Sequence, residues 1–269
     1  MKQGNIIFVT LLLTILLGVV EPLRATFTSH ELSGNYGINV GLCVVLLVVL
    51  ALYILYTVRY RRKAQEKVSS LDQQDLSPLS GQDYYYQEPM QQFDQHPVRI
   101  VNHADSHVAV FDVRYKNAWE KWMTVLGLFD YSNIELTTND TVVYCEQLPL
   151  RKAFKRPKWN VFVNQQHRGL LEMAPLSKAG IKKQAVFYYD VRDHRYIIQS
   201  PRINPHTFIQ NDQDQTLMQG ERTILDVGKK GNDGARGKKH HVITTDTRDL
   251  STAEKLGLYQ QIMMKIEQS

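Results

Sequence analysis

The apolar run at residues 38–58, interrupted only by Asn39, Gly41 and Thr57, limits what this 269-residue chain can fold into more than any other feature. At a rise of ~1.5 Å per residue such a run crosses the ~30 Å hydrocarbon core of a bilayer. A core helix of a water-soluble protein seldom runs this far without a charge. Tyr53, Tyr56 and Tyr60 stand where an aromatic belt meets the headgroups, and Arg59, Arg61, Arg62 and Lys63 follow at once. Lys and Arg beside a span are retained in the cytoplasm, so the sequence predicts a transmembrane helix over 38–58 with everything after Lys63 cytoplasmic.

A second apolar run, residues 6–20, is short for a span and also suits the h-region of a signal peptide. Lys2 gives it a weak basic start, and Leu23, Arg24 and Ala25 make a poor cleavage site, which favours a retained first span. Both readings give one topology, a protein of the cell membrane with residues 64–269 inside. The pattern Asn139-Asp-Thr141 is then no glycosylation acceptor.

Charge and composition change along the chain. Residues 1–63 form the membrane region, with spans at 6–20 and 38–58. Residues 64–97 hold six acidic residues against one lysine and are rich in Gln, with too few apolar residues to offset ordering entropy, so they read as a disordered polar linker. Within it, Tyr84-Tyr85-Tyr86 reads as a sticky spot or, less readily, a docking or modification motif. Residues 98–269 hold 25 basic against 19 acidic residues and alternate apolar and polar positions like a folded domain. The two cysteines, Cys43 and Cys145, make no disulfide framework; Cys145 reads as a small buried apolar residue.

The cytoplasmic domain divides into short runs rich in Val, Ile, Phe, Tyr and Thr: 98–101, 108–115, 134–136, 142–146, 160–163, 169–173, 185–191, 196–199, 207–210, 216–219, 222–227 and 240–244. Turn residues such as Asn139-Asp140, Asn204-Pro205 and Asn211-Asp212 separate them, as does a glycine-rich stretch at 228–237. No helix-length segments alternate with the strands. The predicted class is therefore mainly β, an antiparallel barrel or sandwich. Residues 119–128 fit either a helix or a buried strand. The end of the chain is a helix: Ser251 and Glu254 form a capping box, and Leu256, Tyr259, Ile262, Met263 and Ile266 share a face.

Short paired strands, with Trp159-Asn-Val-Phe-Val, Tyr196-Ile-Ile-Gln and the run from Thr207-Phe-Ile-Gln to Gly220-Glu-Arg-Thr-Ile-Leu-Asp, precede an apolar helix at the end. Residues 98–269 thus resemble the tubby C-terminal-like fold, the family of phospholipid scramblases and LURP-one proteins. The resemblance is one of element order and implies about twelve strands closed around a C-terminal helix. The family's helix is apolar on nearly all sides, whereas this one carries Lys255, Gln260, Gln261 and Lys265. The expectation is a helix that plugs an open end or lies across one sheet, its polar side in water.

No catalytic or metal site is expected, nor any cofactor. His240 and His241 are neighbours on a strand and face opposite ways, and His103 and His107 lie on no predicted helix, so neither pair shares a metal readily. The basic glycine-rich stretch lacks P-loop spacing. Arg151, Lys152, Lys155, Arg156 and Lys158 flank Phe154 and Trp159, and Lys229, Lys230, Lys238 and Lys239 lie in another loop. If loops of one barrel end converge, these residues form an anionic-lipid surface; otherwise they are scattered solvated charges. The leading expectation is a membrane-anchored, non-enzymatic module that engages anionic headgroups or a membrane-protein partner. An accessory subunit acting only through protein contacts comes second, and an unrecognised enzyme third. Nucleic acid fits poorly, because no binding signature appears.

Overall fold

A computed structural model of the protein describes residues 76–88, 97–125, 131, 133–149, 156–175, 184–201, 205–223, 238–247 and 250–268, with single residues between 14 and 59. The chain divides into two compact units, Met1–Ser70 with Lys116–Tyr131, and Leu71–Tyr115 with Ser132–Ser269.

The second unit is a closed antiparallel barrel. Its strands are β1 (Asp83–Gln87), β2 (Val98–Asn102), β3 (His107–Arg114), β4 (Asn133–Thr138), β5 (Val142–Gln147), β6 (Lys158–Val163), β7 (Gln166–Met173), β8 (Gln184–Val191), β9 (His194–Pro201), β10 (His206–Gln210), β11 (Thr216–Arg222) and β12 (Lys239–Thr244). Each strand pairs with its neighbours in sequence, and β1 closes the ring on β12 with Tyr85 opposite His241. Closure leaves no unpaired edge. The period-two alternation sends Ile100, Phe111, Leu136, Val161, Leu171, Phe187 and Ile198 inward, while Arg99, Asp112, Glu135, Glu172 and Asp190 alternate with them.

One element fills the interior. The helix Thr252–Gln268 (named α2 below, after the short helix of the other unit) is buried on every side from Ala253 to Met264. The expectation of a helix with one side in water is therefore corrected. Lys255 is 0% exposed and Gln260 and Gln261 are 1% exposed, and the polar ends of Lys255 and Gln261 find partners inside the barrel. Gln261 Oε1 accepts the Ile134 N–H at 3.0 Å, and Lys255 Nζ donates to the Thr245 carbonyl. Glycine lets helix and wall meet: a Cβ on Gly257 would stand 2.8 Å from Val143 Cγ1, and one on Gly220 only 2.2 Å from the Tyr259 ring. The capping box forms as read, with Ser251 Oγ accepting the Glu254 N–H at 3.2 Å.

Two other readings change. β1 forms within the stretch assigned to a disordered linker, and Tyr84 and Tyr86 bury their rings, at 1% and 5% exposure, in the core. Strands read separately at 216–219 and 222–227 are one strand, β11, through Gly220; residues 224–227 lie outside the described set.

In the first unit, residues left open at 119–128 give the helix α1 (Ala118–Val125). Asn117 Oδ1 accepts the Glu120 N–H at 2.8 Å, and Glu120 Oε2 accepts the Lys116 N–H at 3.1 Å, a reciprocal cap that starts it. Gly41, Val44, Val45, Leu47, Val48, Val49, Ala51, Leu52, Leu55 and Arg59 are helical. Most of the two predicted spans, 6–20 and 38–58, lies outside the described residues. Among those described, no helix is long and apolar enough to cross a membrane.

Candidate functional site

Antiparallel order sorts the connections between strands to two ends. Those after even-numbered strands form one rim, at 103–106, 139–141, 164–165, 192–193 and 211–215, and all are tight turns. Asp105, Asn164, Gln165, Arg192 and Asp214, which have φ between 49° and 67°, sit in these turns; among the described residues no other non-glycine residue has positive φ. The turns also carry Asp140, Asp193 and Asp212, so this rim is acidic.

Connections after odd-numbered strands leave from the opposite rim, at 88–97, 115–132, 148–157, 174–183, 202–205 and 223–238, and all but 202–205 are longer. Every basic residue proposed from the sequence as a headgroup contact lies in, or opens the strand after, one of two of these connections. Arg151, Lys152, Lys155 and Arg156 fall between β5 and β6, Lys158 opens β6, Lys229, Lys230 and Lys238 fall between β11 and β12, and Lys239 opens β12. In the ring order β5–β6 and β11–β12 lie across the barrel from one another. Arg151, Lys152, Lys155, Lys229 and Lys230 are outside the described residues. Of the others, Lys239 is exposed, Arg156 and Lys238 are half-buried, and Lys158 Nζ is held by Glu172 at 2.7 Å. That pairing removes Lys158 from the charges free to meet a ligand.

Two polar clusters that the sequence did not announce lie inside. Under the long-loop rim, His240 Nε2 stands 3.4 Å from Glu88 Oε1 and its Nδ1 3.0 Å from the Tyr259 hydroxyl, while Tyr86 stacks on its ring at 4.3 Å. His240 thus faces in, whereas His241 faces out against Tyr85, the opposition expected of strand neighbours. Toward the turn rim, the Tyr189 hydroxyl donates to Glu254 Oε1 at 2.5 Å, and Arg168 Nε lies 3.5 Å from the same oxygen. Cys145 is fully buried, and burial together with the Glu254 charge raises its thiol pKa to about 12, so it is the inert core residue expected. A shallow pocket on the turn rim is lined by Arg195, Asn211, Asp212 and Gln213, but the Arg195 guanidinium is already held by Asp190 at 2.6 and 2.9 Å. Among the described residues no group of three or more His, Cys, Asp or Glu could hold a metal ion.

A closed twelve-strand ring around a buried terminal helix is the architecture implied by the resemblance, and the family model of the Tubby C-terminal like domain matches residues 84–224. The chain belongs to that family. No curated protein and no solved structure matches it. The match begins at Tyr84, in β1, and ends before β12 and α2, so the tubby-like barrel of this chain includes two elements beyond the matched region.

The Glu254 cluster makes the stability of this tubby-like barrel depend on pH. Burial raises the Glu254 pKa above its usual 4.5, opposed by Tyr189, Arg168 and the Ser251 amide. The folded state therefore holds this proton more tightly than the unfolded chain. Its contribution is greatest below the unfolded value and is lost as pH rises through the folded one. Glu254→Gln stays neutral throughout. Raising the pH from below 4.5 to neutrality should shift the difference in melting temperature in favour of the variant, and a pH-independent difference would refute the assignment.

Proposed function

We propose that the chain is a membrane-anchored, non-enzymatic module of the tubby-like family whose long-loop rim engages anionic lipid headgroups on the cytoplasmic side. One observation carries this reading: strand order gathers the basic connections at one end of the barrel and the acidic turns at the other. Such a charge axis orients the barrel at a negative surface, basic rim down. Tubby-like domains bind lipids and are non-enzymatic, which favours headgroup binding over chemistry. The anchor is supported by residues 44–55, where Val44, Val45, Leu47, Val48, Val49, Leu52 and Leu55 are helical and 50–61% exposed. A helix that exposes apolar side chains around most of its surface matches hydrocarbon rather than water.

The tether permits this orientation. β1 starts at the turn rim, and Ser77 there donates its N–H to the His107 carbonyl at 2.8 Å. Residues 64–75 can extend to at most about 40 Å at ~3.3–3.6 Å each, more than the ~26 Å of an eight-residue strand. The long-loop rim can therefore reach the bilayer although the chain enters at the other end. Tethering makes the lipid contact intramolecular, so a weak affinity suffices.

Flotation of residues 71–269, which include β1 to β12, α1 and α2, tests the reading. Binding should be stronger to phosphatidylcholine vesicles containing phosphatidylserine than to phosphatidylcholine alone, and should weaken as salt rises. At ~1 kcal/mol per basic residue, replacing Arg151, Lys152, Lys155 and Arg156 by Glu should cost at least about 4 kcal/mol, on the order of a thousandfold in affinity. Unchanged flotation of the variant would reject the rim, and no binding to either vesicle would favour a protein partner.

A further inference from the structure

The connection between β3 and β4 is the longest excursion from the basic rim, and it does more there than link two strands. Its base is pinned: Arg114 pairs with Asn133, whose Nδ2 donates to the Arg114 carbonyl at 3.2 Å and whose Oδ1 accepts the Gln147 N–H at 2.7 Å. One side chain thus ties β3, β4 and β5 where the excursion leaves and returns. Between these points stands α1, closed by its reciprocal cap and by the Tyr131 N–H donating to Thr124 Oγ1 at 3.0 Å. An isolated eight-residue helix is unstable in water, so these fixings are what hold it. Its sequence places Trp119, Trp122 and Met123 at i, i+3 and i+4 on one face. Trp119 is 67% exposed, the most exposed large apolar residue among those described.

We infer that α1 is a second membrane contact, lying in the interface with the Trp119 face among the headgroups and upper acyl chains. Three observations select a bilayer as the occupant. Residues 116–131, though inserted in the barrel sequence, group with residues 1–70, the unit that contains the 38–58 apolar run, and not with the barrel. The excursion leaves the barrel from the same rim as the basic connections, the rim proposed above to face the bilayer. Tryptophan at the edge of an amphipathic segment suits the interfacial zone, where an apolar ring body and a polar N–H are both satisfied. The inference rests on the membrane anchoring proposed above but not on any preference for anionic lipid.

The full-length chain reconstituted in phosphatidylcholine vesicles, with and without acyl-brominated phosphatidylcholine, supplies the test. Bromine quenches indole emission only at close range. Trp159 is 1% exposed inside the barrel and stays out of reach, so it also reports whether a variant remains folded. Brominated lipid should quench a large part of the wild-type emission. Trp119→Ala should reduce that part, and Trp119→Ala with Trp122→Ala should abolish it while Trp159 emission persists. A chain that floats with the vesicles but is quenched equally little with and without these tryptophans overturns the inference and leaves the anchoring intact. A chain that does not float overturns both. Quenching that persists in phosphatidylcholine while phosphatidylserine adds nothing supports this contact and rejects only the anionic rim.

Discussion

Truncation after residue 250 should leave a chain that no longer melts cooperatively. The barrel has no interior of its own without α2. Leu256, Leu258, Tyr259, Ile262, Met263 and Met264 are at most 2% exposed and fill the space that the inward strand residues face. Burial of a large apolar side chain is worth ~1.5–3 kcal/mol, so these six contribute roughly 10–15 kcal/mol, comparable with the ~5–15 kcal/mol that holds a typical domain together. The loss also strands partners in the wall: the Tyr189 hydroxyl, the Thr245 carbonyl and the Ile134 N–H would lose Glu254, Lys255 and Gln261. Far-ultraviolet circular dichroism during thermal melting, with a dye that reports exposed apolar surface, reads the result. A sharp transition in the truncated chain would show that the strands close without their filling.

The second large effect comes from a single methyl group. Gly220→Ala should destabilise the barrel by about 3 kcal/mol, at the upper end of overpacking costs, which for a domain of this size lowers the melting temperature by roughly 6–12 °C. The new Cβ would stand 2.2 Å from one ring carbon of Tyr259 and 2.6 Å from another. That ring cannot swing aside cheaply, because its hydroxyl meets His240 at 3.0 Å and its face lies edge-on to Tyr86 and His240. Tyr259→Leu, which removes the obstruction, should make the pair of substitutions cost less than the sum of the two alone. Additive costs would mean that the ring is not what Gly220 accommodates.

The same glycine shows where sequence reading succeeds and fails. Alternation of apolar and polar residues revealed most strands within a residue or two, and a capping box revealed the helix, because both are local patterns. Gly220 looked like a break between two strands; its role depends on a tyrosine almost forty positions later, which no local pattern displays. β1 was hidden for a related reason. Its two inward tyrosines form a five-residue alternation inside a Gln-rich acidic stretch, and their burial depends on β12 and Phe111 rather than on neighbours in sequence. Splitting one strand and missing another cancelled, so the total of twelve came out right from a partly wrong set. The polarity of Lys255, Gln260 and Gln261 suggested water because the groups that meet Lys255 and Gln261, the Thr245 carbonyl and the Ile134 N–H, are brought to the helix only by the closed barrel. The basic residues were visible as clusters, yet that the connections carrying them leave one end of the barrel follows from counting strands, once it is known that each pairs with the next. Nothing in the sequence marked Asn133 as the tie at the foot of the β3–β4 excursion.

The pairing of β1 with β12 sets an order of events during synthesis. Strands β1 to β11 can pair with sequence neighbours as they appear, but they form only a curled sheet with two open margins until residue 244 has been made. Throughout that interval the inward faces and both margins are available to chaperones and to other nascent chains. A ribosome that stalls between β11 and β12 would release a product that holds eleven of the twelve strands and is wholly open by architecture.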